Sequence, residues 1–253
     1  MSWGAFTPGL MKVYREKTGT SLCPEEYFDF DTRWININPC RKNTDFSKYF
    51  GGTVQENTVF NEWGIGMVPG SIEHFTEIRY HPLKDYKTVE ELTDYEWTDL
   101  DAGYRYEGLA EKINEYHNRG YAVLGDMYCT IYETAWAMRG MEDLLMDFYL
   151  NEDMARVICN KIGALRVKQA EMYARLGVDV IRLGDDVCTQ TGPIMSLDLY
   201  RKFIKEPATR ILQAAKAVNK AQYNKSVHGY LQFFLFLISP GVKPVFFLNS
   251  LLK

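Results

Sequence analysis

The sequence lacks any excess of positive charge. It carries 29 lysines and arginines against 33 aspartates and glutamates, which gives a formal net charge of −4. This balance gives no support for binding to nucleic acid or to an anionic membrane surface. The charged fraction of 25% and the hydrophobic fraction of 46% are typical of a globular protein. A chain of 253 residues is long enough to bury a sizeable core.

Paired cysteines and targeting segments are also missing. The five cysteines are scattered, odd in number and never in CxxC spacing, so we expect reduced thiols in a cytoplasmic protein. Residues 1–17 lack the apolar core of a signal peptide. The apolar run at 231–238 is too short and too interrupted to predict a transmembrane helix.

Glycine-rich nucleotide-binding motifs are absent as well. Neither GxGxxG nor GxxxxGK[ST] occurs anywhere in the chain. Instead, short apolar segments at 122–125 and 178–183 alternate with segments of helical periodicity. Such an order predicts a parallel sheet with right-handed crossovers. A barrel and a doubly wound sheet both fit this pattern.

Local signals indicate where several elements begin and end. The sequence predicts a long helix after Asn151, a glycine cap for it at Gly177, and a new helix opening at Ser196 with a kink near Pro207. Upstream, a strand is expected at 27–37. Two strands of a hairpin are expected at 58–70 and 75–80, followed by a short helix at 88–92 with a capping box.

The segment 184–193 is the first candidate site. Asp185 and Asp186 follow directly on the apolar segment 178–183, and the polar residues Thr189 and Gln190 come soon after. Ligands bind at the carboxyl ends of strands in α/β folds, which favours a site here. The alternative is that the two aspartates only cap the turn.

Three segments carry a family resemblance. GDDVCTQTGPIMSLDLYRKFIKEP (184–207), GDMYCTIYETAWAMRG (125–140) and YHPL followed by TVEEL (80–92) resemble the uroporphyrinogen decarboxylase superfamily. That superfamily includes porphyrinogen decarboxylases and corrinoid-dependent methyltransferases. The likeness covers roughly residues 27–219, with residues 220–253 as a degenerate or truncated continuation.

The resemblance implies an α/β fold of the (β/α)8 TIM-barrel type, incomplete at its C-terminal end, with the site at the carboxyl ends of the strands. It implies catalytic roles for Asp126, Asp185 and Asp186. Trp136 stands about where decarboxylases have a pocket tyrosine. The substrate-binding residues expected on this basis are Arg33, Trp136, Thr189 and Gln190.

The lack of an arginine cluster indicates which branch of the superfamily the chain resembles more. Porphyrinogen decarboxylases bind a polyanion through several arginines, and only Arg33 occupies the matching region. We therefore expect a methyltransferase-type enzyme that acts on a small-molecule substrate. The resemblance implies a corrinoid or a corrinoid protein as its partner, and a homodimer as its oligomeric state. Zinc is implied by the same branch. His228 matches a zinc ligand, but Gly229 follows it directly and no cysteine occurs after Cys188. The alternatives are a uroporphyrinogen decarboxylase and an inactive barrel fragment.

Overall fold

The computed structural model describes residues 6–51, 54–71, 75–223 and 232–236. Its seven strands within these ranges are β1 (Thr32–Ile35), β2 (Val59–Phe60), β3 (Gly66–Pro69), β4 (Thr76–Tyr80), β5 (Ala122–Tyr128), β6 (Val180–Gly184) and β7 (Gln232–Phe236). The described α-helices are α1 (Pro8–Thr18), α2 (Pro24–Tyr27), α3 (Leu109–Asn118), α4 (Tyr132–Arg139), α5 (Met141–Leu150), α6 (Glu152–Leu176), α7 (Leu197–Leu199) and α8 (Glu206–Tyr223).

A parallel sheet of four strands, in the order β1-β5-β6-β7, forms the centre of the described chain. The helices α3 to α8 lie between its strands in sequence, which confirms the predicted alternation and the α/β fold. Within the described ranges the parallel sheet has these four strands, so a closed eight-stranded barrel is not observed there. A second, antiparallel sheet has the order β2-β3-β4.

One face of the parallel sheet is buried against helices. Val123, Met127, Ile181 and Leu183 alternate along β5 and β6 and are at most 2% exposed. The helix α6 approaches this face closely at Gly125. A Cβ atom on that glycine would lie 2.8 Å from the ring of Tyr173. The sheet therefore needs glycine at this position to accept α6.

The start of the chain departs from the sequence expectation. A single strand is expected at 27–37, but α2 ends at Tyr27 and β1 spans only Thr32–Ile35. Pro24 at the first helical position, followed by Glu25 and Glu26, favours a helical turn there. The local alternation of apolar residues therefore predicted the strand but not its late start or the helical turn before it.

The expected two-strand hairpin is instead a three-stranded sheet. The segment 58–70 contains both β2 and β3, joined by a tight turn at 61–65. Asn61 Oδ1 accepts hydrogen bonds from the amides of Trp63 and Ile65, at 2.9 and 3.1 Å. Gly64 has a φ of 74°, which glycine adopts without strain.

The long helices end and begin largely where the sequence predicts. Gly177 closes α6 in the left-handed conformation, with φ of 86°. Ser196 Oγ accepts a hydrogen bond from the amide of Leu199 at 3.3 Å, as expected of an N-cap. The segment Tyr200–Lys205 then takes π-helical geometry just before Pro207, where a kink is predicted. Across the described residues, no helix combines the length and apolarity needed to cross a membrane.

The contact between α6 and α8 depends on Gly163. A Cβ atom there would lie 2.7 Å from Cβ of Pro207, closer than two carbon atoms can pack. We expect Gly163→Ala to destabilise the protein by about 1–3 kcal/mol through this overlap. Urea unfolding measures the change. In a Pro207→Gly background, which lacks that Cβ atom, the same substitution should not destabilise, because alanine otherwise favours a helix over glycine by about 1 kcal/mol. Equal losses in both backgrounds would contradict the packing argument.

Candidate functional site

A cavity of about 990 Å³ lies at the carboxyl ends of β1 and β5. Asn36 directly after β1, Asp126 and Tyr128 of β5, and Glu133 and Trp136 of α4 line it. The antiparallel sheet supplies part of the opposite wall. Its lining residues there are Phe60, Met67, Thr76 and Ile78. The cavity is thus at the edge of the sheet where the sequence places the site.

Asp126 lies in this cavity, as expected, but within a strand rather than after one. The strand β5 continues to Tyr128, two residues beyond the predicted end. The Asp126 carboxylate accepts hydrogen bonds from Arg182 Nε and Nη2, at 2.8 and 3.1 Å. The Arg182 guanidinium in turn packs on the ring of Trp34, 4.7 Å from its centroid. The carboxylate is therefore ion-paired on the face of the sheet opposite the helices.

Asp185 does not line this cavity. Its carboxylate is 7% exposed and accepts hydrogen bonds from the amides of Ile131, Tyr132 and Glu133 at 2.9, 3.1 and 3.0 Å. Burial raises the pKa of Asp185 from 3.8 to about 6, although these hydrogen bonds and Arg166 favour its charged form. The side chain caps the first turn of α4. The structure thus places Asp185 outside the cavity, although the sequence predicts it at the site, because β6 lies beside β5 and brings Asp185 under that helix start.

The remaining polar residues of the 184–193 loop are also outside the lining. Asp186, Thr189 and Gln190 are exposed. Thr189 is engaged within its own turn, where its Oγ1 donates to the carbonyl of Gly192 at 3.0 Å. The structure does not bring these three side chains to the cavity, because the loop folds into a turn away from it.

Arg33 lies at the other end of the sheet. It pairs in register with Val123 near the start of β5, on the helix-covered face. Its guanidinium stacks on the ring of Tyr121, 3.6 Å from the centroid, and donates to the carbonyl of Thr32 at 3.0 Å. The structure therefore does not support the expected contact of Arg33 with substrate. His228, the expected zinc ligand, lies outside the described residues.

Trp136 lines the cavity, as the resemblance implies, and the same helix adds a residue that sequence reasoning missed. Glu133 precedes Trp136 by three positions, so both side chains share one face of α4. Burial raises the pKa of Glu133 from 4.5 to about 7, and the charges of Asp185 and Asp186 act in the same direction. The i, i+3 spacing from Trp136 was the signal that could have identified it.

The turn between β5 and α4 is held by a buried arginine. Arg166 of α6 donates from Nη2 to the carbonyls of Tyr128 and Cys129, at 3.2 and 3.1 Å. Its Nε donates to the carbonyl of Thr130 at 3.2 Å, and its Nη1 to Gln169 Oε1 at 2.8 Å. Burial lowers the pKa of the Arg166 guanidinium. Arg166 lines the cavity but its donors are directed at the protein itself.

The other described cationic side chains of the lining also bond to groups of the protein itself. Arg105 is 2% exposed and pairs with Glu62 at 2.5 Å and Asp99 at 3.3 Å. Lys42 donates to the carbonyl of Trp97 at 3.1 Å. The described lining thus presents no cluster of unengaged guanidinium groups to a ligand.

The described residues do not supply a metal site. They contain no group of three or more histidine, cysteine, aspartate and glutamate side chains arranged to hold a metal ion. The zinc that the resemblance implies therefore has no fitting ligand set in this part of the chain, and no chemical step is derived through it.

A parallel sheet flanked by helices, with a cavity at the carboxyl ends of its strands, is the arrangement of α/β proteins, which bind ligands at that edge. The uroporphyrinogen decarboxylase (URO-D) family model matches residues 60–236. The chain therefore belongs to the URO-D family, which confirms the resemblance found in the sequence.

Two further comparisons add little to this assignment. A solved structure, a methyltransferase from Methanosarcina mazei, is similar at 14% identity with a TM-score of 0.46. The match covers 69% of this chain and 47% of that one, so this chain spans about half the length of that protein. A search of curated proteins gave no match.

The raised pKa of Glu133 makes stability depend on pH. The folded protein binds this proton more tightly than the unfolded chain, so the contribution is complete below pH 4.5 and is lost as the pH rises through 7. Asp185 acts in the same direction between pH 3.8 and 6. We expect the urea midpoint to fall as the pH rises from 5 to 8, and Glu133→Gln to reduce that fall. Glu111→Gln, at an exposed position on α3, is the control. An unchanged pH dependence in Glu133→Gln would contradict the assignment.

Proposed function

We propose that this chain is a methyltransferase-type enzyme that acts in the cavity at the carboxyl ends of β1 and β5. The four parallel strands are then part of the (β/α)8 barrel expected of the family, with residues 1–219 as the barrel domain and 220–253 as its continuation. A corrinoid carried by a partner protein is the proposed second reactant. Membership of the URO-D family and the position of the cavity support this assignment.

The observation that carries the proposal is the pairing of Glu133 with Trp136 on one wall of the cavity. A carboxyl group with a pKa of about 7 is divided between its protonated and ionised forms near neutral pH. It can therefore donate or accept a proton during a reaction. The indole of Trp136 provides an apolar surface on which a methyl-bearing group can pack. Asp126, ion-paired with Arg182, orients the substrate from the sheet side.

The reaction that suits this arrangement moves a methyl group between a heteroatom and a nucleophile. When the bond between carbon and heteroatom breaks, the heteroatom keeps the electron pair and takes a proton from Glu133. In the reverse direction, a thiol gives its proton to the Glu133 carboxylate as its sulfur gains the methyl group. The carboxyl group thus balances the proton in both directions.

In this proposal the corrinoid is carried by a partner protein and not by this chain. A bound corrinoid would supply a nucleophilic cobalt centre for methyl transfer. Nothing in the described lining identifies a cradle for a corrinoid ring, so we assign that group to a partner protein and derive no step through it.

The cationic side chains of the lining bond to other protein groups, which argues against porphyrinogen decarboxylation. A porphyrinogen carries many carboxylates, and its recognition needs several guanidinium groups in one cleft. In the described lining Arg105 and Arg166 are held by internal partners, and Arg33 lies at the opposite end of the sheet. A donor that is uncharged or cationic fits this cavity better.

We expect the purified chain to accelerate methyl transfer from methylcobalamin to a small thiol, followed by the absorbance change of the cobalamin. Because Glu133 accepts the thiol proton, the rate should rise with pH through about 7. Glu133→Gln should lower it by about 100-fold or more. Glu111→Gln, on the exposed side of α3, should retain the full rate. Full activity in Glu133→Gln would refute the role given to this carboxyl group.

Uroporphyrinogen tests the competing reaction. We expect no coproporphyrinogen after incubation with the protein, because the lining offers no arginine cluster for a polyanion. Oxidation of the mixture and separation of the fluorescent porphyrins by their carboxylate number gives the readout. Formation of four-carboxylate product by the chain, and not by a heat-denatured sample, would assign it to decarboxylation instead.

A further inference from the structure

Six consecutive residues, 128–133, carry the chain from the end of β5 into the first turn of α4. The carbonyls of the first three accept hydrogen bonds from Arg166. The amides of the last three donate to Asp185. A buried cation on α6 and a buried anion after β6 therefore satisfy opposite polar groups of one continuous turn. All six of these hydrogen bonds involve main-chain atoms of the segment.

The turn needs such support because its backbone is not relaxed. Cys129 has a φ of 51°, a left-handed conformation that is uncommon for a residue with a side chain. Its carbonyl accepts from Thr134 Oγ1 as well as from Arg166. Such a conformation persists only where the surroundings impose it. The two buried charges provide that restraint from both sides of the turn.

We propose that Arg166 and Asp185 are positioning residues, a two-sided clamp on the main chain of 128–133 that holds the Glu133 carboxyl against the cavity and away from bulk water. This inference rests on the proposed function, in which Glu133 moves the proton. Asp185 thereby receives a role other than the catalytic one expected from the sequence.

The clamp determines the surroundings that raise the pKa of Glu133. The charged and titratable groups that face this carboxyl come from the loop after β6, from the end of β5 with the turn, and from α4: Asp185, Asp186, Tyr128, Cys129 and Tyr132. Arg166 lies on the carbonyl side of the turn, next to Asp185 and Cys129. Burial is the largest cause of the raised pKa of Glu133, and the amide of Asp186, which donates to Glu133 Oε2 at 3.1 Å, acts against it. The clamp fixes the start of α4, and with it the half-buried position of that carboxyl.

The test is the titration of Glu133 in the full chain without substrate. Glutamate labelled with ¹³C at the side-chain carboxyl gives one resonance per residue, and the signal missing from Glu133→Gln assigns the one of interest. We expect a midpoint near 7 in the natural chain. Arg166→Lys keeps the charge but loses the planar fork that reaches three carbonyls. Its midpoint should fall by about one pH unit toward 4.5, because a loosened turn admits water.

Arg139→Lys is the matched control. Arg139 is a second buried arginine, on α4 itself, which donates to the carbonyls of Leu83, Lys84 and Tyr86 and pairs with Asp147. Its replacement should destabilise the protein but leave the Glu133 midpoint near 7. An unchanged midpoint in a folded Arg166→Lys protein, or an equal fall in both lysine variants, would overturn the proposal.

Asp185→Asn provides the second variant if Arg166→Lys does not fold. It removes a negative charge near Glu133 and replaces one of the two oxygens that accept the three amides with an NH2 group, so the midpoint should again fall by about one unit. Amide hydrogens of 131–133 should exchange faster. A midpoint that stays near 7 would overturn the proposal. Because no substrate is used, these results are independent of methyl transfer. An active-site role for Glu133 can therefore fail while the clamp stands.

Discussion

The need to hydrogen-bond backbone groups in the interior is the constraint on which the described structure depends most. A turn from a central strand to a helix leaves several carbonyls and amides without partners of their own secondary structure. Here Arg166 and Asp185 satisfy six of these groups between β5 and α4. Arg139 does the same for the carbonyls of Leu83, Lys84 and Tyr86, and so attaches that segment to α4. Buried charges act in this protein mainly on the main chain.

This use of charge determines what the cavity can recognise. Arginines that donate to carbonyls, or that pair with two carboxylates as Arg105 does, have little capacity left for an anionic ligand. The cavity wall therefore combines engaged cations with aromatic surface and one carboxyl group, Glu133, that titrates near neutral pH. Such a wall suits proton transfer to a donor of low negative charge better than the binding of a polyanion.

The sequence predicted the parallel sheet, both ends of α6 and the start of α7, because each follows from local spacing. The family motif pointed to Asp126 and Trp136, and both line the cavity. The sequence did not predict that Asp185 caps α4 or that Glu133 shares the cavity. Both depend on β6 lying beside β5, and periodicity does not reveal which strands are neighbours. Alternation placed Arg33 in a strand but did not show that it lies at the end of the sheet away from the cavity.

The clamp on 128–133 has a consequence for how the family can diversify. Its hydrogen bonds reach main-chain atoms only, so they specify the path of the chain and not the identity of the side chains that it carries. Residues facing the cavity from this turn are then free to change while the path is kept, with position 129 limited to residues that tolerate a positive φ. The same scaffold can thereby present different reactive groups at one fixed place, and new chemistry would not require a new fold.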